Sequence, residues 1–227
     1  MRVPDHPVAL ALLRALGTDK GLAAPSANRF GRISLTAVAH VQAEFGAQLD
    51  MILDGGPCRV GLESTIIGNT GKMPVLLHPG GIPIPALEEA LGQKIAAPGA
   101  APSVRVSGSL ASHYAPATPL EVWPGGAMEQ RFSELAGSGR RIALMVLSTG
   151  AVSSPDSPQL FRHPMPPQAT DYARQLYATL RQLDGAHFDR ILAEAPPQTA
   201  DWQAVHDRLR RAAALYCPDG SEDISRK

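Results

Sequence analysis

Only two of the 227 residues are cysteine, Cys58 and Cys217, and they lie far apart with no CxxC or CxxH spacing. No zinc centre is expected from them, and both read as ordinary small thiols. The seven histidines are equally scattered and form no HExxH, so a dedicated protein-built metal cage is not expected. A Mg²⁺ ion travelling with a nucleotide would leave no such trace. No apolar run approaches the ~18 residues of a membrane helix, which leaves no candidate span. An excess of one charge is missing too: 21 Lys and Arg balance 21 Asp and Glu. No global field therefore draws the chain to nucleic acid or an anionic membrane, and any anion site must be local. The opening residues RVPDHP lack the charged, apolar and cleavage regions of a secretory signal, so the chain reads as cytoplasmic.

What is present is 44% hydrophobic and 19% charged residues, with 21 each of Gly and Pro. A chain of this length buries roughly 70% of its unfolded surface and makes one large or two modest domains. No repeat organises it. The pattern divides at residues 96–103, a stretch of small residues and breakers. The expected organisation is a first domain over residues 1–96, a linker over 97–119, a second domain over 120–217 and a tail over 218–227.

In the first half, Val8, Leu12 and Ala15 predict a helix over residues 7–16, closed by Gly17. A second helix is expected to start from a Ser34 or Thr36 cap, to present Val38, Val41 and Phe45, and to end at Gly46. Strand-length runs lie at residues 51–53, 64–67 and 75–77, and Pro85, Leu87 and Leu91 before Gly92 mark a third helix. The second half predicts strands near residues 120–123, 142–147 and 190–193. Helices are expected over 171–183, and over 202–215 after a capping Asp201. This is βαβ winding into a small parallel three-layer domain. No GxGxxG follows its first strand, so a dinucleotide site is not supported there.

Chemistry-bearing residues cluster in short segments. Arg2 and His6 sit in an extended, proline-rich stretch, where they face one pocket or belong to a solvated terminus. Ser26, Asn28, Ser34 and Thr36 surround a turn before a helix N-terminus, a place that suits an anion or serves simple capping. The glycine-rich connection through Gly61, Glu63 and Ser64 lets backbone approach a ligand, but it has no P-loop order. Glu63 reads as a general base or as an exposed or cap-bonded carboxylate. His78 enters a turn. His113 and Tyr114 put aromatics into a linker of small residues, where Tyr114 either anchors the linker to the first domain or covers a ligand. No GxSxG elbow or supported Cys–His pair appears, which disfavours nucleophilic hydrolysis.

Taken in order, RVPDHP, APSANRFGRISLT, LDMILDGGPCRVGLESTII, PVLLHPG, SHYAP, DRILAEAPP and DRLRRAAA resemble the threonylcarbamoyl-AMP synthase family in its two-domain form. The resemblance runs from Arg2 to about Leu215. It implies an α/β architecture: part of a YrdC-like twisted-sheet domain followed by a small Rossmann-like parallel domain. It also implies an enzyme that joins L-threonine, bicarbonate or CO₂, and ATP into threonylcarbamoyl-AMP, releasing pyrophosphate, with Mg²⁺ on the phosphates. The product would pass to tRNA threonylcarbamoyl transferase proteins for modification of the adenosine beside the anticodon, so tRNA is met only indirectly and no membrane is involved. Carried over, His6, Ser26 and Ser64 would contact threonine. Arg2, Asn28, Ser34, Thr36 and His78 would hold ATP, and His113 or Tyr114 would close the nucleotide site. No residue is assigned a covalent catalytic role.

Two departures accompany the resemblance. His78 stands where family members usually carry Arg, replacing a permanent cation by a group expected to titrate near neutrality. The chain also begins inside the family's catalytic domain, without the Lys/Arg cluster that grips phosphates, and its four lysines, none before Lys20, do not supply one. Losing one preorganised donor costs about 10²–10³ in rate. The expectation is an N-terminally truncated sequence, weakly active or inactive alone, with unpaired sheet edges in its first half. A non-catalytic tRNA- or protein-binding remnant of the same family is the competing reading. A carbamoyl-transfer domain of the hydrogenase-maturation type is a third, disfavoured by the HYAP segment and the second domain.

Overall fold

A computed structural model describes residues 4–17, 19–68, 73–97, 113–147 and 159–214. Most of the expected linker, Arg2 and Cys217 lie outside these residues.

The C-terminal half is an α/β unit of three layers. Strands β3 (Leu120–Trp123), β4 (Ile142–Val146), β5 (Leu160–Pro164) and β6 (Arg190–Glu194) form an all-parallel sheet in the order β3-β6-β4-β5. Alternation along the strands feeds two cores. Ile142, Leu144, Val146 and Leu192 face α4 (Gly125–Ala136), which contributes Met128, Phe132 and Leu135 at successive helical turns. Ala143, Met145, Ile191 and Ala193 face α5 (Ala169–Gly185) and α6 (Gln203–Ala213). On those helices Tyr172, Leu176, Leu180 and Leu183, then Val205, Leu209 and Ala212, make the matching stripes. Because both sheet faces are covered, the central strands read as continuous apolar runs, the pattern that made them visible in the sequence.

Strand β5 was not expected. Its sequence LFRHP is half polar because it is an edge strand with only Leu160 buried, and the terminal Pro164 gives up a donor that an edge does not need. The capping expectation at Asp201 is also corrected: this residue lies inside a 3-10 turn, Ala200–Trp202, and α6 starts from Trp202 with no side-chain cap.

The N-terminal half is more open. It contains α1 (Pro7–Leu16), α2 (Val38–Phe45), α3 (Ile84–Leu91) and an antiparallel pair, β1 (Ile66–Gly68) and β2 (Val75–His78). No residue of these three helices is fully buried. Pro7 opens α1, while Gly92, with φ 64°, closes α3 in the left-handed conformation that a side chain resists. Ala96 adds a parallel bridge to Val75. The strand expected at residues 51–53 is absent: the segment finds no pairing partner, and Met51 and Leu53 stay exposed. The cap of α2 is corrected as well, since its N-cap is Ala37 without a side-chain bond. There His40 reaches back from the first turn and accepts the Thr36 N–H at 3.3 Å.

Buried side chains of the C-terminal unit test this description. Leu144→Ala, in the sheet centre, is expected to lower unfolding free energy by about 2–5 kcal/mol. Tyr172→Phe removes a fully buried hydroxyl with no hydrogen-bond partner among the described residues, so it should be neutral or stabilising. Urea unfolding of the two variants checks both.

Candidate functional site

The seam between the halves is organised by one carboxylate. Glu63 lies in the connection before β1, where Gly61, at φ 82°, lets the chain run against the backbone of α5 so closely that a Cβ would overlap Arg174 and Ala173. Its Oε1 accepts the Ser34 hydroxyl at 2.6 Å, and its Oε2 accepts the Tyr177 hydroxyl at 2.9 Å and Arg208 Nε at 2.8 Å. Burial alone would raise the Glu63 carboxyl, but the Arg208 charge and the bonds from Ser34 and Arg208 outweigh it and hold the group below its usual range. Glu63 is therefore an ionised hub whose oxygens are taken by Ser34, Tyr177 and Arg208, and not the exposed or cap-bonded carboxylate that the sequence also offered.

Arg208 is fully buried. Its Nη1 donates to Asp207 at 2.8 Å, and Asp207 also takes Arg211 and Arg210, so α6 itself orients the guanidinium. The guanidinium lies 5.3 Å from the Tyr114 ring centre, and that ring lies 5.4 Å from Tyr177. Tyr114 is buried with φ 62°, and burial, then the Glu63 charge, push its phenol up to about 12. The ring thus packs on the C-terminal unit, while the next residue, Ala115, ties the linker to the first half through the Gly31 carbonyl at 2.9 Å. His113 packs edge-on to Tyr114, and its N–H reaches the Arg211 carbonyl at 3.4 Å.

The structure brings Ser34, Ser64, His113 and Tyr114 to this seam. Ser64 is exposed and follows Glu63 directly. The backbone there is pressed by Gly80, where a Cβ would overlap Thr65 and Ser64, and is tied by Gly81 N–H to the Glu63 carbonyl at 3.2 Å. Arg181 of α5 reaches the Ile33 carbonyl at 3.1 Å and Glu44 at 2.9 Å, which seats the segment before Ser34. In the preceding turn, Ser26 donates to Asn28 Oδ1, and Asn28 Nδ2 donates to the carbonyls of Arg29 and Arg32. That amide staples the turn. Thr36 is buried, its carbonyl accepting the Cys58 N–H at 2.8 Å. His6 belongs to another contact, with the Gly55 carbonyl at 3.1 Å.

His78 departs furthest from expectation. It is 1% exposed, and neither ring nitrogen has a partner among the described residues. Burial first, and the Arg208 charge second, lower it to about 4. Its charged form is disfavoured both by loss of solvent and by the Arg208 and Arg211 charges nearby, so it does not titrate near neutrality. A cleft of about 400 Å³, lined in part by Thr65, Pro79, Ile82, Gln168 and Trp202, contains none of the residues assigned to threonine or ATP from the sequence. Arg208, Tyr177 and Arg181 were missed, the only sequence signal being a cationic cluster in DRLRR.

A family model described as the threonylcarbamoyl-AMP synthase C-terminal domain matches residues 82–214, more than half of the chain. The chain belongs to the threonylcarbamoyl-AMP synthase family. A second model, of the Sua5/YciO/YrdC family and described as telomere recombination, matches residues 1–80. The chain is 34% identical to the threonylcarbamoyl-AMP synthase of Bacillus subtilis over 94% of its own length and 62% of that protein's. It is 32% identical to that of Pyrococcus abyssi, with 94% and 63% covered. Among solved structures it is similar to P. abyssi Sua5 complexed with L-threonine, at TM-score 0.78 and 32% identity, covering 93% of this chain and 63% of that one. It is also similar to a variant of that protein with a histidine and a tyrosine replaced by alanine, again at TM-score 0.78, with 30% identity and coverages of 93% and 62%. The synthase-family chain thus spans about three fifths of the length of the curated relatives it matches.

The buried His78 gives this family member a pH signature. Its folded value lies below the ordinary value of 6.5, so the unfolded chain binds more protons and stability falls as pH drops through that interval. Between pH 7 and pH 5 this contributes a loss of about 2 kcal/mol. His78→Leu should flatten the urea-derived stability difference between those two pH values by that amount.

Proposed function

We propose that this chain forms threonylcarbamoyl-AMP from L-threonine, bicarbonate or CO₂, and ATP, with release of pyrophosphate. The observation that carries the reading is the similarity, at TM-score 0.78 over 93% of the chain, to a relative solved with L-threonine. In this reaction the threonine amine adds to bicarbonate with loss of water, and a carbamate oxygen then attacks the α-phosphorus in line as pyrophosphate leaves. The step asks for positioning and charge neutralisation rather than a covalent nucleophile.

Ser64, exposed beside the Glu63 hub, presents a hydroxyl to threonine, with Ser26 and His6 as the further threonine contacts. Asn28, Ser34, Thr36 and Arg2 belong to the ATP side. The Ser34 proton is engaged by Glu63, which leaves its oxygen as an acceptor. His113 and Tyr114 bound the nucleotide side of the seam. His78 is withdrawn from direct contact with phosphate by its burial. Mg²⁺ would enter as the companion of the nucleotide, neutralising charge on its phosphates. The residues over 120–217 act as a second domain that seats the linker. The product passes to tRNA threonylcarbamoyl transferase proteins in the cytoplasm. Among the described residues no helix is long and apolar enough to cross a membrane.

Pyrophosphate release from ATP, followed with and without L-threonine and bicarbonate, tests the proposal. Release that requires both supports it, and release indifferent to threonine contradicts it. Ser64→Ala is expected to raise the threonine KM about tenfold with kcat little changed, the loss of one neutral hydrogen bond.

A further inference from the structure

Resting on that reading, we infer that Arg208, carried by the last helix of the C-terminal unit, is a positioning residue of the reaction. One guanidinium fixes both the Glu63–Ser64 loop and the Tyr114 linker, so the segments that meet threonine and nucleotide are held, and released, together.

The geometry supports a shared strut rather than a generic ion pair. The guanidinium edge donates to Glu63 at 2.8 Å while the group lies 5.3 Å from the Tyr114 ring centre. A planar guanidinium serves an edge and a face at once, which a lysine ammonium does not. Each client segment is constrained where it meets the strut. Glu63 is bound at both oxygens, and Ser64 follows it on a backbone with no slack, tied through Gly81 and crowded by Gly80. Tyr114 holds a left-handed φ of 62°, a conformation that a bulky residue keeps only when its surroundings impose it. The ring contacts with Arg208 and Tyr177, and the Ala115 N–H bond to the Gly31 carbonyl at 2.9 Å, do so. Asp207 sets the guanidinium from behind. The C-terminal unit therefore acts on the site through one side chain that contacts two of its segments.

The test uses the full chain and two readouts, L-threonine titration by calorimetry and amide hydrogen exchange. Arg208→Met is expected to weaken L-threonine binding about tenfold or more, since small displacements of positioning groups carry large penalties. Arg208→Lys, which keeps the charge near Glu63 but loses the planar face, should recover part of that loss. Adding Glu63→Gln to Arg208→Met should cost less than Glu63→Gln costs alone, because the two changes share the strut while the Ser34 and Tyr177 bonds belong to Glu63 only. Exchange should accelerate together in residues 62–65 and 113–115, while β4 and β6 keep their protection.

In Arg208→Met, threonine affinity within about twofold of wild type, or faster exchange in only one of the two segments, overturns the inference. If the wild-type chain takes no threonine, the proposed function falls, and the paired exchange pattern still decides the strut. If Arg208→Met does not fold, Arg208→Lys and Glu63→Gln decide: Lys should loosen 113–115 and Gln 62–65. Exchange unchanged from wild type in both contradicts the inference.

Discussion

The contact between Glu63 and Arg208 is the constraint on which the rest of the seam depends. A charged group with no solvent exposure is expensive to bury, and an unpaired one would be intolerable. Arg208 is fully buried, so the N-terminal loop must deliver a carboxylate to it, and Asp207 must supply a second from its own helix. Ser34 and Tyr177 fill further acceptor sites of Glu63. His78, buried beside this network without a carboxylate partner of its own, is held neutral by burial and by the neighbouring Arg208 charge, whereas Arg208 and Arg211 keep theirs on Asp207.

This arrangement explains how a thinly packed N-terminal half keeps a defined shape. Its helices bury no residue completely, and most of the large exposed apolar side chains belong to it, Phe30 and Met51 among them. The C-terminal unit, with two full cores on either side of one sheet, is the rigid partner. Ile33 and Tyr114 enter its core, while Arg181 and Arg208 reach outward to the backbone and carboxylates of the other half. Apolar burial gives the seam its adhesion. The directional polar contacts set which residues face the candidate site.

Much of this was legible in the sequence where one physical signal dominates. The central strands β4 and β6 are buried along most of their length and read as apolar runs, the edge strand β3 shows as Leu120, Val122 and Trp123 around one charged residue, and α5 and α6 carry clean stripes. The three-layer parallel unit followed from them. Edge strand β5 was invisible because half its side chains face solvent or the rim. The caps failed for other reasons: Glu63 takes the Ser34 hydroxyl from a distant segment, α2 starts only after Ala37, beyond Thr36, and Asp201 lies inside a 3-10 turn rather than before the helix. The hub itself was out of reach. Glu63 and Arg208 are separated by 145 positions, so although Arg208 stands at the i+3 place of the Val205, Leu209 and Ala212 stripe and is thereby marked for burial, its partner is not. Tyr114 stood out as an aromatic among small residues, but its ring contacts with Tyr177 and Arg208 join positions too far apart in sequence for any local pattern to show.

The most direct test of the account is a double-mutant cycle on stability, combining Glu63→Gln with Arg208→Met and measuring urea unfolding at pH 7. The account predicts a coupling free energy of about 2 kcal/mol or more between the two positions, since a single change strands a buried charge that the second change relieves. Additive effects, with coupling below about 0.5 kcal/mol, would contradict it.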